Sequence, residues 1–254
     1  MVALYAKVFD GRLPLKVYQL HSRLSQNVRT RTTEDFKEAN TGVMFASDVI
    51  GRGMDFPNVD LVIQVGLPSN AEQYVHRVGR TARAGKDGRA TILLTQGESF
   101  FLAHNQKLPI KPHAKTDRIL SGISIYAPQI EQVMYTIDEG IKKKAYQSFL
   151  GFFAGSGLLK PLRLDKDGLV VMANDFARFA MHCPEPPAME RKTVGQMGLK
   201  GTPGIRYASV DHTTARPQSA RKRPQGTEGE NLAPKQGQGK GPKKPRNGKK
   251  PVQQ

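Results

Sequence analysis

Val43-Met-Phe-Ala-Ser-Asp-Val-Ile-Gly-Arg-Gly-Met-Asp-Phe-Pro-Asn-Val-Asp-Leu-Val-Ile-Gln-Val65 decides the fold. Two short β-type runs, Val43–Ala46 and Leu61–Val65, flank a loop holding two glycines, an arginine and three carboxylates. Neither run alternates apolar with polar as a half-exposed strand does. Near-continuous apolar strands belong to sheets covered on both faces, and such sheets are parallel.

Working outward, the same grammar repeats. Val17-Tyr-Gln-Leu20 and Ala90-Thr-Ile-Leu-Leu94 are further strand-like runs. Between strands lie Gln26 to Ala39, polar with an apolar Phe36, and Asn70 to Arg77, opened by a residue suited to an N-cap; both read as helices. A helix is expected over Val2 to Phe9. The fold class is therefore α/β, a parallel sheet with helices on both faces.

Beyond Pro109 the pattern changes. Residues 111–125 read as a connector. Tyr146, Phe149, Leu150 and Phe153 then fall at i, i+3, i+4 and i+7, one face of a helix. Leu169, Met172, Ala173, Phe176 and Ala180 form a second such face, with Asp165 or Asp167 near its start. A small helical unit is predicted over 126–185, its stripes packing on each other and on the α/β body. Cys183-Pro-Glu-Pro-Pro187 closes it, since proline cannot continue a helix. Three segments are expected: an α/β domain over 1–110, a helical extension over 111–205 and a disordered basic tail over 206–254.

Charge separates the tail from the rest. Of a formal net charge of +17, residues 215–254 alone carry 11 basic and 2 acidic side chains. Residues 1–110 and 111–214 carry 14 basic and 10 acidic each. The tail has six Pro, six Gly and six Gln and no aromatic residue. It cannot bury enough apolar surface to offset chain entropy. Such a tail favours a polyanion; Arg221-Lys-Arg223 and Lys243-Lys-Pro-Arg246 suit tethering of RNA, or a nuclear address.

The single cysteine, Cys183, excludes an intrachain disulfide and a zinc site of two or more cysteines. His21, His104, His113, His182 and His212 show no paired metal spacing, and no metal site is expected. No apolar run reaches the length of a membrane span, and the first residues match neither a signal peptide nor a transit peptide.

Two segments carry chemistry. In the first, Ser47 and Asp48 follow a strand, and Arg52, Gly53 and Asp55 close the turn. Ligands bind at such strand ends, where glycine lets the backbone approach them. The second is His76-Arg-Val-Gly-Arg-Thr-Ala-Arg83. Arg77, Arg80 and Arg83, three apart, lie along one side of a helix or helix-like turn. Arginine binds phosphate through a planar fork. Alone, three such arginines would more often be a solvated face; beside the first segment they read as a site.

These segments resemble motifs V and VI of DEAD-box RNA helicases, A-T-D-x-A-x-R-G-x-D and H-R-x-G-R-T-x-R. Gln26-Asn-Val-Arg29 is similar to the family's Q-x-x-R element. The resemblance runs from about residue 13 to 110, the second RecA-like domain. Ala145-Tyr-Gln-Ser-Phe149, Ala173-Asn174, Pro184–Pro187 and Lys192–Gly201 resemble the C-terminal extension of a subgroup of fungal mitochondrial RNA chaperones and plant organellar relatives. His21-Ser-Arg23 also resembles that subgroup.

The resemblance implies roles. Arg80 and Arg83 would be arginine fingers facing the ATP γ-phosphate, with Gly53 and Asp55 at the nucleotide and Asp55 accepting from its ribose. His76 and Arg77 would couple the nucleotide to a partner domain. Arg23, Gln26, Arg29, Ser47 and Asp48 would hold the RNA backbone without reading its sequence. Ser47 stands where the family has Thr and keeps the hydroxyl. Ala82 stands where it has Gly, with little consequence expected.

No G-x-x-x-x-G-K-[ST] and no Asp-Glu-Ala-Asp occurs; Gly151–Gly157 is glycine-rich but lacks the lysine. ATP and Mg2+ are the implied cofactors, with the magnesium ligands in an N-terminal RecA-like domain that the sequence lacks. RNA and that domain are the implied partners of a monomer without membrane contact. Alone, the chain is expected neither to hydrolyse ATP nor to unwind RNA. It reads as part of a longer product more readily than as a natural short form. The subgroup implies a mitochondrial location; nucleus and cytoplasm are the alternatives. A non-catalytic RNA-binding module and a helicase acting on DNA stay open as rival functions.

Overall fold

The computed structural model describes residues 1–48 and 55–209. The chain opens with α1 (Val2–Phe9), β1 (Val17–Leu20), α2 (Gln26–Glu38) and β2 (Val43–Ala46). There follow β3 (Leu61–Val65), α3 (Ala71–Val78), β4 (Arg89–Leu93), a 3-10 turn at Gln96–Glu98 and α4 (Phe100–His104). Then come α5 (Thr116–Thr136), α6 (Glu139–Gly155), α7 (Lys166–Asp175), a π-helical turn over Phe176–Ala180, and α8 (Arg191–Gln196). Every strand and helix read from residues 2–94 is present to within a residue or two.

All strand pairing is parallel. β1 pairs with β2, Val17 opposite Val43 through Leu20 opposite Ala46. β3 pairs with β4, Leu61 opposite Arg89 through Val65 opposite Leu93. Among the described residues these are two separate two-stranded sheets, where the sequence suggested one. α1 packs against both β1 and β2, α2 against β1 and α3 against β3. Parallel strands need such crossovers, because a hairpin cannot join them.

Local chemistry sets the helix ends. The Ser25 side chain accepts from the backbone N–H of Val28, and that of Asn70 from Gln73, satisfying donors that the first turn leaves unpaired. Asp138 caps α6 and Asp165 caps α7, which settles the choice between Asp165 and Asp167. Phe36 anchors the polar helix α2. Its ring lies edge-on to Tyr18 at 5.2 Å and to Phe56 at 5.7 Å.

The connector expected over 111–125 is instead mostly helix: α5 begins at Thr116. Ile119, Ile123, Tyr126, Ile130, Val133 and Ile137 recur at alternating steps of four and three, one helical stripe. Its last two members are buried, while Ile119, Ile123 and Tyr126 are exposed. Pro128 inside the helix lacks the N–H that would bond the carbonyl four residues back, which masks the pattern in the sequence.

One apolar core runs through most of these elements. Leu4 and Val8 of α1, Phe101 of α4 and Val133 and Met134 of α5 join Tyr146, Leu150, Leu169, Ala173 and Val194 of α6 to α8. Of the expected faces, Tyr146, Leu150 and Phe153 are buried, as are Leu169 and Ala173, but Ala180 is exposed: the π-helical turn shifts the register and buries Ala177 instead. Residues from both sides of the 110/111 boundary thus share a single core, within one unit spanning Met1–Val210.

Past Ile205 the chain still pairs. Met189 donates to the Arg206 carbonyl at 2.8 Å, and Ala208 donates to that of Met189 at 2.9 Å. Ordered backbone therefore passes the boundary drawn at 206. The rest of the expected tail, 210–254, lies outside the described residues.

Candidate functional site

The carboxyl ends of β1 and β2 lie side by side, and one group of side chains is built there; a second follows α3. Ser47, just past β2, donates its backbone N–H to the Leu20 carbonyl at 3.1 Å. This holds Ser47 beside His21-Ser22-Arg23. The backbone N–H of Arg23 donates to His21 Nδ1 at 3.2 Å and tightens that turn. Ser47 and Arg23 are exposed.

Gln26 and Arg29 occupy the first turns of α2. Arg29 Nη1 donates to Gln26 Oε1 at 3.1 Å, so one side chain orients the other. Arg29 Nε is buried without a hydrogen-bond partner among the described residues. A buried donor left unsatisfied costs about 1–3 kcal/mol, an incentive for an acceptor to enter.

Asp48 takes a different set of partners. Arg77 reaches it from α3 with Nε at 2.7 Å and Nη2 at 2.8 Å, a bidentate pair. Gln73 Nε2 adds a third bond at 2.8 Å. Burial works to raise the Asp48 pKa, but the hydrogen bonds and charge of Arg77 and the Gln73 amide outweigh it and hold the carboxyl below its usual range. The pair ties the end of β2 to α3 across 29 residues of sequence.

A folded-state pKa below the unfolded one adds stability above the usual carboxylate range, and that stability is lost as pH falls through the folded value. Asp48→Asn therefore lowers stability at neutral pH by about 1 kcal/mol, a modest figure because the pair is partly solvated. Thermal unfolding of the two proteins across pH checks this. The gap stays constant in mildly acid and neutral buffer and closes below pH about 4.

The second group follows α3. Gly79 ends the helix, and Arg80-Thr81-Ala82-Arg83 turns back toward Asp55. Arg83 Nη1 meets Asp55 Oδ1 at 2.5 Å, and its Nε donates to the Gly79 carbonyl at 2.7 Å. Arg80 Nε donates to the His76 carbonyl at 3.1 Å. Burial, then the Arg83 charge, lowers the Arg80 pKa, while Asp55 works against them. The hydrogen bond from Arg83, with its charge and that of Lys37, holds the exposed Asp55 below its usual value against a smaller desolvation effect. Two guanidinium groups and a carboxylate therefore meet at one place. His76 lies outside this group, its Nε2 3.6 Å from Glu72 Oε1. Gly53 and Arg52 lie outside the described residues.

The turn that carries Arg80 and Arg83 is tightly fixed. Thr81 is buried and its hydroxyl donates to the Val59 carbonyl. Ala82 and Ala84 have φ of +55° and +54°, the left-handed region. Alanine there costs roughly 1–2 kcal/mol, which glycine avoids. The expected equivalence of Ala82 with glycine therefore fails for the backbone. Gly88 comes so close to Thr81 and Ala82 that a Cβ would overlap the Ala82 backbone nitrogen. Gly88→Ala must then move the turn, and is expected to lower stability by about 1–3 kcal/mol, measured by denaturant unfolding. No nearby flexible side-chain end can absorb that overlap.

The sequence missed two features here. Gln73 carries no motif signal; only the approach of α3 to β2 assigns it to Asp48. The role of Gly88 depends on a backbone contact that no local pattern encodes.

Residues 1–85 match the family described as helicase conserved C-terminal domain. Over 241 residues the chain is 62% identical to the mitochondrial ATP-dependent RNA helicase mss116 of Aspergillus oryzae, covering 94% of this chain and 38% of that protein. The mitochondrial MSS116 helicase of Phaeosphaeria nodorum is 52% identical, covering 83% and 38%. DEAD-box ATP-dependent RNA helicase 25 of Arabidopsis thaliana is 40% identical, covering 78% and 34%. The chain thus spans little more than a third of these relatives. Among solved structures, Mss116p DEAD-box helicase domain 2, bound to an RNA duplex, superposes with a TM-score of 0.59 at 22% identity, covering 83% of each chain. The fold is RecA-like, and the resemblance to the C-terminal half of a DEAD-box RNA helicase extends over most of the chain.

Proposed function

We infer that this chain is the C-terminal portion of a DEAD-box ATP-dependent RNA helicase and RNA chaperone, its second RecA-like domain followed by a helical extension and a basic tail. The observation that carries the reading is the meeting of Arg80, Arg83 and Asp55 on a turn fixed by Thr81. Bound ATP supplies the phosphoanhydride that is cleaved, with Mg2+ held by carboxylates of a first RecA-like domain. The residues present fit the remaining half of such a pocket. Arg80 and Arg83 offer fixed positive charge where negative charge develops. Asp55 offers an acceptor for a ribose hydroxyl. His76 and Arg77 couple this side to the partner domain, Arg77 through Asp48.

Arg23, Gln26, Arg29 and Ser47 hold the RNA backbone at the ends of β1 and β2, with Asp48 beside them. Contacts of this kind bind without reading sequence. The chain acts as a monomer in mitochondria, the compartment in the names of the Aspergillus oryzae and Phaeosphaeria nodorum relatives. By itself it neither hydrolyses ATP nor unwinds RNA, because no phosphate-cradling lysine motif and no Asp-Glu-Ala-Asp is present.

The test joins this chain to a first RecA-like domain bearing the phosphate-binding lysine. RNA-stimulated ATP hydrolysis is expected from the fusion and from neither part alone. Turnover by the isolated 254-residue chain, or a fusion that RNA does not stimulate, would sink the reading.

A further inference from the structure

Arg83 stands between two strained residues. Ala82 and Ala84, its neighbours on either side, have φ of +55° and +54°. A Cβ disfavours that left-handed region, and such backbone persists only where its surroundings over-determine it. Both flanks of Arg83 are tied down, and to the same short segment. On the amino side, the buried Thr81 donates its hydroxyl to the Val59 carbonyl. On the carboxyl side, Arg83 to Lys86 form a β-turn, closed by the Lys86 N–H donating to the Arg83 carbonyl at 3.1 Å, with Ala84 and Gly85 both at positive φ. The Lys86 ammonium then donates to Asn58 Oδ1. Asn58 and Val59 are adjacent in the chain and lie just past Asp55, the carboxylate that Arg83 itself meets. The N–H of Arg89 donates to the Asp60 carbonyl at 2.9 Å, and this bond leads directly into the pairing of β3 with β4. Residues 55–60 are therefore a support, rooted in the sheet, to which the arginine turn is fastened before and after Arg83.

We propose that Asn58 and Lys86 are a positioning pair for Arg83 in ATP hydrolysis. This deepens the nucleotide reading above and rests on it. The bond joins an ammonium to an amide oxygen between two exposed side chains, so it adds little to stability. Its effect is on geometry. Without it the turn is fastened on one flank only, and Ala84 can relax toward the right-handed region that its side chain prefers. The backbone that carries Arg83 then shifts relative to Asp55. A charge that stabilises a transition state works only if it is already in place. A displacement of about 1 Å at such a group is enough to cost orders of magnitude in rate. The pair thus acts through Arg83 and touches no reacting atom.

The chain joined to a first RecA-like domain tests the proposal. Lys86→Met and Asn58→Ala should each lower kcat for RNA-stimulated ATP hydrolysis about tenfold and leave KM for ATP within about twofold. Combined, they should cost no more than either alone, because they break one bond. Lys86→Arg keeps a charged donor and should hold kcat to within about threefold of the unsubstituted fusion. In an Arg83→Ala background, single-turnover hydrolysis should show no further loss from Lys86→Met. The thermal midpoint of the 254-residue chain should move by no more than about 3 °C in either pair variant. An equal loss from Lys86→Met with Arg83 present and absent would overturn the proposal. So would a loss from Lys86→Met that Asn58→Ala does not share, or one accompanied by a larger drop in the midpoint. If Arg83→Ala slows turnover and both pair variants leave kcat unchanged, this inference falls alone. If Arg83→Ala leaves turnover unchanged, the nucleotide reading falls with it.

Discussion

Replacing both Arg80 and Arg83 with alanine, in the chain joined to a first RecA-like domain, lowers RNA-stimulated ATP turnover by about 10³-fold or more. RNA affinity should stay near that of the unsubstituted fusion, because the proposed strand contacts lie at the ends of β1 and β2. The size of the loss follows from geometry. A charge that stabilises a transition state must be in place beforehand. The turn that holds the pair is fixed at its middle, by the Thr81–Val59 bond and by the close approach of Gly88 to Thr81 and Ala82. Lysine should not rescue either position, since a point charge on a flexible stem cannot reproduce the planar fork. Asp55→Asn separates two contributions. It removes the carboxylate that now engages Arg83 and weakens the ribose contact, so KM should rise more than kcat falls. Undiminished turnover in the double alanine protein would remove the arginines from the reaction.

The second large effect concerns the core. Tyr146→Ala should destabilise the chain by about 3–5 kcal/mol, the cost of deleting a fully buried aromatic ring. Tyr146 also donates its hydroxyl to Asn174 Oδ1 at 2.7 Å, and Asn174 Nδ2 donates to the Gly204 carbonyl at 3.1 Å. Burial pushes the phenol pKa up to about 12, so the hydroxyl remains a donor throughout the neutral range. Tyr146→Phe keeps the ring and breaks only this relay, at about 1–3 kcal/mol. Urea unfolding should therefore rank wild type above Tyr146→Phe above Tyr146→Ala. Equal midpoints for the two variants would show that the hydroxyl carries all of the effect and the ring none.

The strands and the first three helices were legible because each signal is local. Apolar runs of four or five residues bounded by turns mark buried strands, and Asn70 sits where a cap belongs. The pairing of four strands into two sheets was not legible, since a run of apolar residues reveals a strand but not its neighbour. α5 escaped because Gly122 and Pro128 interrupt the helical signal, although its apolar stripe keeps helical spacing. Within the site, Arg77, Arg80, Arg83, Asp48 and Asp55 could be named from motif spacing. Which carboxylate meets which arginine depends on how β2 approaches α3, information spread over 28 or 29 residues. The strain at Ala82 was hidden for the opposite reason: alanine gives no sign of a left-handed backbone, as glycine would.

The core that runs from Leu4 to Val194 without a break has a mechanical consequence. α1, whose Leu4 and Val8 belong to this core, also packs against β1 and β2. If the proposed nucleotide docks, a rotation of β1 and β2 would be passed through α1 to α6 and α7. The extension then serves as a stiff lever, converting a small turn at its root into a longer sweep at its tip.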